Sequence, residues 1–471
     1  MSYEAFDEAV EKAVDAFRQW NRNETVRVIS HLDADGISAC AILIRMLSQD
    51  NRKYSISIVQ QLKEETLQEL SKETYTHYIF SDLGSGQLKA IEKCLKERNV
   101  LILDHHGPET ETIPRNILHV NPCVHGIDGS KEISGAGVVY WFAKTLNKEM
   151  EKMAHIALIG AIGDVQEQNG FLPMNNEILK TAIKHGKIKV ERGLRMFGLQ
   201  GRPLYKVLEY STDPYIPGVS GSESGAIQFL HQMGIEPKKG SVWKKMMHLT
   251  EEEKKRLISG IVMKRLDEKN PEDVLGNIYT LLEEKEDSIT RNAKEFATLL
   301  NACGRMGKAS LGIGACLGDK RIKEKAIKSL TGYKREIVNA IRWYENNGAN
   351  GKIIRENGLV VINAGSEIMP TLIGTLASII SKSNGMKGST FVMGLARVLD
   401  GTTKVSLRLS GRNREDVNLR DLIKSITDSV GGEAGGHIHA AGALISTDKE
   451  TAFIETAKEI LVKKAMEEFV D

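Results

Sequence analysis

With 471 residues, 41% hydrophobic and 27% charged, the chain has an ordinary soluble composition and enough length for two or three domains. A formal net charge of +2 excludes a globally basic nucleic-acid binder, so any such surface has to be a local patch. Five cysteines without C-x-x-C spacing argue against a disulfide framework or a zinc ribbon and fit a reducing cytoplasm.

The stretch from Met1 to Trp20 carries acids and places Phe6, Val10, Val14 and Phe17 at helical spacing, which predicts a packing helix and not a signal peptide. Residues 25–30 read as a strand that runs into His31-Leu32-Asp33-Ala34-Asp35-Gly36, with a helix over 37–47. Strands at 54–59, 76–80 and 99–103 alternate with helices near 63–71 and 87–98, the signature of a parallel sheet built from βαβ units. An edge strand is expected at 117–122, then apolar helices at 133–142 and 153–162, the second ending in Gly163-Asp164.

The Pro-, Gly- and Ser-rich stretch 211–224 reads as a loop or domain boundary. From there to about 350 the pattern is helical and heavily charged, interrupted at 304–318 and closing in a long connecting helix over 319–346. Alternation then returns: a strand at 358–363, a helix at 371–380, strands at 389–398 and 403–409, and a glycine-dense turn at 431–437. The expected architecture is an α/β domain over 1–210, a helical insert over 211–350 and a smaller α/β domain over 351–471. No stretch approaches about 20 uninterrupted apolar residues, which argues against a membrane span.

Four apolar runs end in acids or imidazoles: His31, Asp33 and Asp35; Asp82; Asp104, His105 and His106; and Asp164. One such tip is an ordinary surface feature. Four in order would share the rim where a doubly wound sheet binds ligands, and their carboxylates would repel unless cations neutralise them. Carboxylate and imidazole donors suit Mn²⁺, Mg²⁺ or Zn²⁺. Two divalent ions about 3.5–4 Å apart, sharing one carboxylate, would satisfy the cluster and make a site for phosphoester hydrolysis.

These segments resemble the four motifs of the DHH phosphoesterase superfamily. The tail Gly435-Gly436-His437-Ile438-His439-Ala440-Ala441-Gly442 resembles the G-G-H-x-x-A-A-G signature of the accompanying DHHA1 domain. The segment Leu300-Asn301-Ala302-Cys303-Gly304-Arg305-Met306 resembles the N-A-x-G-R segment of RecJ-type single-strand nucleases, and the likeness to archaeal RecJ-like exonucleases spans nearly the whole chain. The resemblance implies two Mn²⁺ or Mg²⁺ ions, one on His31 and Asp33, the other on Asp35, His105 and Asp164, with Asp82 bridging. It implies that Asp104 orients a histidine and that His106 faces the substrate or the attacking water as donor or acid.

On the substrate side, Gly435-Gly436 would let backbone N–H groups approach a phosphate, with His437 donating to it. Arg408 is a candidate phosphate clamp, and Arg305, in the segment opened by Asn301, would do the same across a cleft between domains. A narrow cleft of this kind would admit single strands only. His119, His125 and His439 are read as structural or exposed, Gly312 and Gly314 as a turn, and Trp243, Trp343 and Tyr344 as packing aromatics. The run Ser134-Gly135-Ala136-Gly137 at a helix start is equally consistent with a phosphate site and with close helix packing.

The expected activity is stepwise removal of nucleotides from single-stranded DNA or RNA, in replication or repair. One rival is a small-substrate enzyme of the same superfamily acting on short oligonucleotides or cyclic dinucleotides; the extra stretch 224–350 argues against it. The other is a replisome scaffold, since the resemblance extends to a eukaryotic replicative-helicase cofactor and to archaeal relatives that associate with the GINS complex. Polarity, DNA against RNA, and Mn²⁺ against Mg²⁺ stay open at this level.

Overall fold

The computed structural model describes residues 3–467 apart from 111, 169, 212–213, 269, 349, 384–388 and 412–416. The chain forms two compact units, Met1–Lys328 and Ser329–Asp471. In the first, α1 (Tyr3–Arg18) buries the stripe Phe6, Val10, Val14 and Phe17 that its period predicts. There follow β1 (Val26–His31), α2 (Ala34–Gln49), β2 (Tyr54–Val59), α3 (Glu64–Lys72), β3 (His77–Ser81), α4 (Leu88–Cys94), β4 (Asn99–Leu103) and β5 (Ile117–Val120).

All five strands pair in parallel in the order β2-β1-β3-β4-β5. β1, β3 and β4 are near-continuous apolar runs because helices cover both faces of such a sheet. The chain steps from β1 to β2, then back past β1 to β3. That reversal opens a crevice at the carboxyl ends of β1 and β3. Register brings the tips level, with Ser30 opposite Ser81 and Ser81 opposite Leu103. β5 is the edge strand expected at that position.

Helices α5 (Gly135–Leu146) and α6 (Ala154–Gly163) pack on α2, and α7 (Pro173–Lys184) packs on α6. Next, β6 (Ile188–Leu194), α8 (Leu204–Glu209), α9 (Glu223–Gln232), the short β7 (Lys238–Lys239) and β8 (Val242–Trp243), α10 (Glu251–Lys264) and β9 (Leu275–Leu281) enclose one apolar cluster running from Leu194 to Val274. The stretch 211–224 joins α8 to α9 within this cluster, with Ile216 and Val219 buried, so its Pro and Gly mark a loop inside one core. The antiparallel ribbon β6–β9 departs from the all-helical expectation. Its strands lie some 80 residues apart in sequence, Ile188 facing Leu281, and neither reads as a sheet without its partner.

After α11 (Ala293–Arg305) and α12 (Ala309–Cys316), α13 (Lys320–Asn346) spans the division at 328/329. Residues 304–318 are largely helical, and Gly312 and Gly314 lie within α12, where their missing side chains make room for Ile37 and Ile322, and not in a turn. The second unit is a six-stranded sheet of order β10-β11-β12-β13-β15-β14, with β10 (Ile353–Glu356), β11 (Leu359–Asn363), β12 (Phe391–Arg397), β13 (Thr402–Leu409), β14 (Glu433–His437) and β15 (Ala440–Ser446). Helices α14 (Pro370–Ser381), α15 (Leu419–Val430) and α16 (Glu450–Glu467) accompany it. The glycine-dense segment is thus an edge strand, pairing antiparallel with β15, because Gly435 and Gly436 find backbone partners in Gly442 and Ala441.

Candidate metal centre

His31 is the last residue of β1, and Asp33 caps α2, its Oδ1 accepting the Gly36 N–H at 3.0 Å. That leaves Asp33 Oδ2 to approach His31 Nδ1 at 2.9 Å, with Asp82 Oδ2 3.5 Å from the same nitrogen. Asp82 follows β3 in a left-handed conformation, φ +59°, which an aspartate tolerates better than most residues. On its other side, His105 Nε2 lies 3.3 Å from Asp82 Oδ1, 3.4 Å from Asp164 Oδ2 and 3.7 Å from Asp35 Oδ2.

Among the described residues three groups have ligand atoms within 4.8 Å of one another: His31, Asp33 and Asp82; Asp35, His105 and Asp164; and Asp82, Asp104, His105 and His106. The first two are open donor sets. Asp82 stands between them. Its carboxylate is buried, and its polar neighbours are the His31 and His105 imidazoles, at 3.5 and 3.3 Å and poorly aligned for hydrogen bonding. A buried carboxylate so placed costs several kcal/mol, on the order of a desolvated ion, unless a cation takes up its lone pairs. The residues therefore fit a divalent metal, with hard oxygen and imidazole donors.

The electrostatics agree. Burial and the neighbouring Asp82 and Asp164 raise the Asp35 carboxyl well above the carboxylate range, and burial with Asp33 pushes Asp164 up to about 7. Asp33 is held low: burial opposes ionisation, but the His31 imidazole and the Gly36 N–H outweigh it. Burial also works against the imidazolium forms of His31 and His105, and the surrounding carboxylates still raise both well above 6.5. Protons on this cluster stand in for missing positive charge.

In the third group, both oxygens of Asp104 are already engaged. Its Oδ1 accepts the His105 N–H (2.8 Å) and receives His106 Nδ1 (2.8 Å), while Oδ2 accepts the Ser85 N–H at 2.9 Å. These contacts, against the opposing effect of burial, hold its carboxyl well below the usual range. Asp104 thereby fixes the ring of His106, whose side chain is 37% exposed at the rim.

The residues 25–163, 196–278 and 357–463 match the family models for the DHH family N-terminal domain, the DHH-CID domain and the DHHA1 domain. An uncharacterised protein of Methanocaldococcus jannaschii, MJ0831, is 31% identical over 96% of this chain and 97% of its own length. The chain belongs to the DHH family. The single-stranded-DNA-specific exonuclease RecJ of Bacillus subtilis is 25% identical over 35% of this chain and 22% of its own. Among solved structures, RecJ of Thermus thermophilus in complex with Mn²⁺ shares the fold at TM-score 0.58 and 18% identity, covering 98% of this chain and 55% of that one. CDC45 from Entamoeba histolytica does so at TM-score 0.63 and 15% identity, covering 97% and 99%. The DHH protein spans about half the length of that RecJ chain. No described helix is long and apolar enough to cross a membrane.

Within the DHH domain, sequence reasoning left Ser134–Gly137 undecided, and the structure gives these N–H groups a carboxylate. Gly135 and Ala136 donate to Asp35 at 2.6 and 3.0 Å, so the N-terminus of α5 holds Asp35 in place of a phosphate. Ser85 and Gly129, which hold Asp104 and His105, carried no sequence signal. Asn301, expected on the substrate side, turns its Oδ1 to the Ala34 N–H at 3.0 Å and so braces the start of α2 beside the metal loop. Arg305 closes α11, half-buried.

In the DHHA1 domain, Arg408 is half-buried on β13, its guanidinium donating to Ser378 Oγ (2.9 Å) and the carbonyls of Leu407 (2.8 Å) and Ala441 (3.3 Å). Gly435 and Gly436 are exposed on the edge strand β14. The His437 side chain lies outside the described residues. His119 is structural, its Nε2 2.8 Å from the buried Ser85 hydroxyl.

Proposed function

We propose that this DHH protein is a metal-dependent phosphodiesterase that removes nucleotides stepwise from single-stranded DNA or RNA, in replication or repair. The buried Asp82 carboxylate, standing between the His31–Asp33 pair and the Asp35–His105–Asp164 set with only poorly aligned imidazoles at its oxygens, carries the reading. In it, Mn²⁺ or Mg²⁺ ions occupy two positions, one on His31 and Asp33, the other on Asp35, His105 and Asp164, with Asp82 serving both. Bound there, such ions would polarise the phosphoryl group and supply hydroxide near neutral pH.

The side chains do the rest. His106, its Nδ1 fixed by Asp104, gives or accepts a proton at a substrate oxygen. Asn301, Arg305, Arg408, His437 and the backbone of Gly435 and Gly436 bind the substrate and its phosphates, Asn301 from α11 beside the start of α2. The name of the partial relative, a single-stranded-DNA-specific exonuclease, and the Mn²⁺ complex of the RecJ neighbour support the substrate class and the metal.

A second reading is favoured by the fold shared with CDC45 over almost the full length of both chains: a replisome component whose task is binding, with the GINS complex as partner. The test is incubation of wild type and Asp82→Ala with Mn²⁺ and long single strands of DNA and RNA, labelled separately at each end. Mononucleotides or a ladder from wild type alone support the nuclease and give its polarity. Inert long strands with rapid cleavage of dinucleotides would replace it by a small-substrate enzyme. Silence on both with tight GINS binding would make it a scaffold, and full activity of Asp82→Ala would overturn the metal assignment.

A further inference from the structure

One short turn of chain bears on both ring nitrogens of His105, on one directly and on the other only through the Gly129 carbonyl. Asp164 reaches toward Nε2 at 3.4 Å. Two residues on, Gln166 reaches the opposite side: its Nε2 donates at 3.0 Å to the Gly129 carbonyl, the same oxygen that receives His105 Nδ1 at 2.7 Å. Between them Val165 sits at φ +63°, a conformation that a β-branched residue adopts only at a cost of about 1–3 kcal/mol. The strained turn is what lets residues 164 and 166 straddle the imidazole.

The Gly129 carbonyl belongs to the connection between β5 and α5, and it lies close because residue 129 has no side chain: a Cβ there would fall 2.0 Å from the His105 carbonyl oxygen. A carbonyl has two lone pairs, and here both are used. Gln166 is in turn held by Asn175, whose Nδ2 donates to Gln166 Oε1 at 2.7 Å, and the Asn175 N–H is fixed on the Glu132 carbonyl at 3.0 Å. Gln166 is 6% exposed and Asn175 fully buried. Buried amides are costly to leave unbonded, and of the two only Asn175 Oδ1 has no partner among the described residues.

We propose that Gln166, backed by Asn175, is a positioning residue for the metal centre: it aims the Gly129 carbonyl so that His105 gives its proton on Nδ1 to that oxygen and presents Nε2 as a lone pair among Asp35, Asp82 and Asp164. The inference rests on reading His105 as a metal ligand. Partners one step behind a ligating histidine change metal affinity by about 10- to 100-fold when removed.

Two variants separate this role from simple core support. Gln166→Met keeps the volume and loses both hydrogen bonds. Gln166→Glu keeps the shape and the bond from Asn175 and, measured at a pH alkaline enough to ionise its buried carboxyl, cannot donate to Gly129. Mn²⁺ binding to the full chain is read from the electron paramagnetic resonance of the free ion, with metal-free melting measured alongside. Both variants are expected to bind Mn²⁺ about 10- to 100-fold more weakly. If Gln166→Met does not fold, Gln166→Glu carries the test alone. Wild-type affinity in Gln166→Glu would overturn the proposal, because the donor to Gly129 would then be dispensable. Absence of Mn²⁺ binding by wild type would overturn the metal reading itself and this role with it.

Discussion

Replacing Gly304 by alanine sets two opposed effects against each other, and the structure decides the sign. Gly304 lies in the last turn of α11, where alanine should stabilise a helix by about 1 kcal/mol. A Cβ at this position, however, falls 1.6 Å from the Leu32 carbonyl oxygen and 2.7 Å from its carbon. The obstacle is backbone, one residue before Asp33, so no rotamer change relieves it. Overpacking a core costs about 1–3 kcal/mol, and a rigid contact of this kind belongs at the top of that range. The net expectation for Gly304→Ala is a loss of about 2 kcal/mol.

The strain also falls on the metal loop, since α11 can only give way by moving Leu32 or by releasing Ala34 from Asn301. Weaker Mn²⁺ binding should therefore accompany the loss. Gly332, within α13 and with nothing within 4 Å of its Cβ position, is the control: Gly332→Ala should gain up to about 1 kcal/mol. Urea unfolding followed by circular dichroism, with calorimetry to separate the units, reads both. Gly304→Ala as stable as wild type, or more so, would refute the argument that α11 is pressed against the metal loop.

Two further expectations concern charge. Adding Mn²⁺ at 100 times its Kd should stabilise the fold by about 2.7 kcal/mol, EDTA should abolish the gain, and Asp82→Asn should show little of it in a thermal melt. His155, on α6, is pushed down to about 4 by burial and by Lys187. The unfolded chain then takes up this proton near pH 6.5 while the folded chain resists until about pH 4, so stability present above 6.5 drains away between those values. The full loss is about 3 kcal/mol at 1.36 kcal/mol per unit. His155→Leu should flatten that part of the stability profile relative to wild type, and parallel curves for the two proteins would refute it.

The sequence by itself determined the sheet and marked the candidate ligands. Runs such as 99–103 are apolar throughout because parallel strands are covered on both faces, and each ends at an acid or imidazole, so His31, Asp33, Asp35, Asp82, His105 and Asp164 were legible one tip at a time. Local chemistry also marked Asp104 and His106, which pair across the single residue between them.

What joins distant stretches was decided by tertiary structure. The reversal between β1 and β3 brings His31 to Asp82, and α5 arrives from a hundred residues away to put two N–H groups on Asp35. The ribbon β6–β9, the edge strand at 433–437 and the Asn301 contact with Ala34 were likewise invisible. Periodicity reports which face of an element is buried, whereas a hydrogen bond needs a partner whose sequence position the local pattern does not encode. Glycine-rich stretches therefore read as turns until the fold supplied the partners they meet.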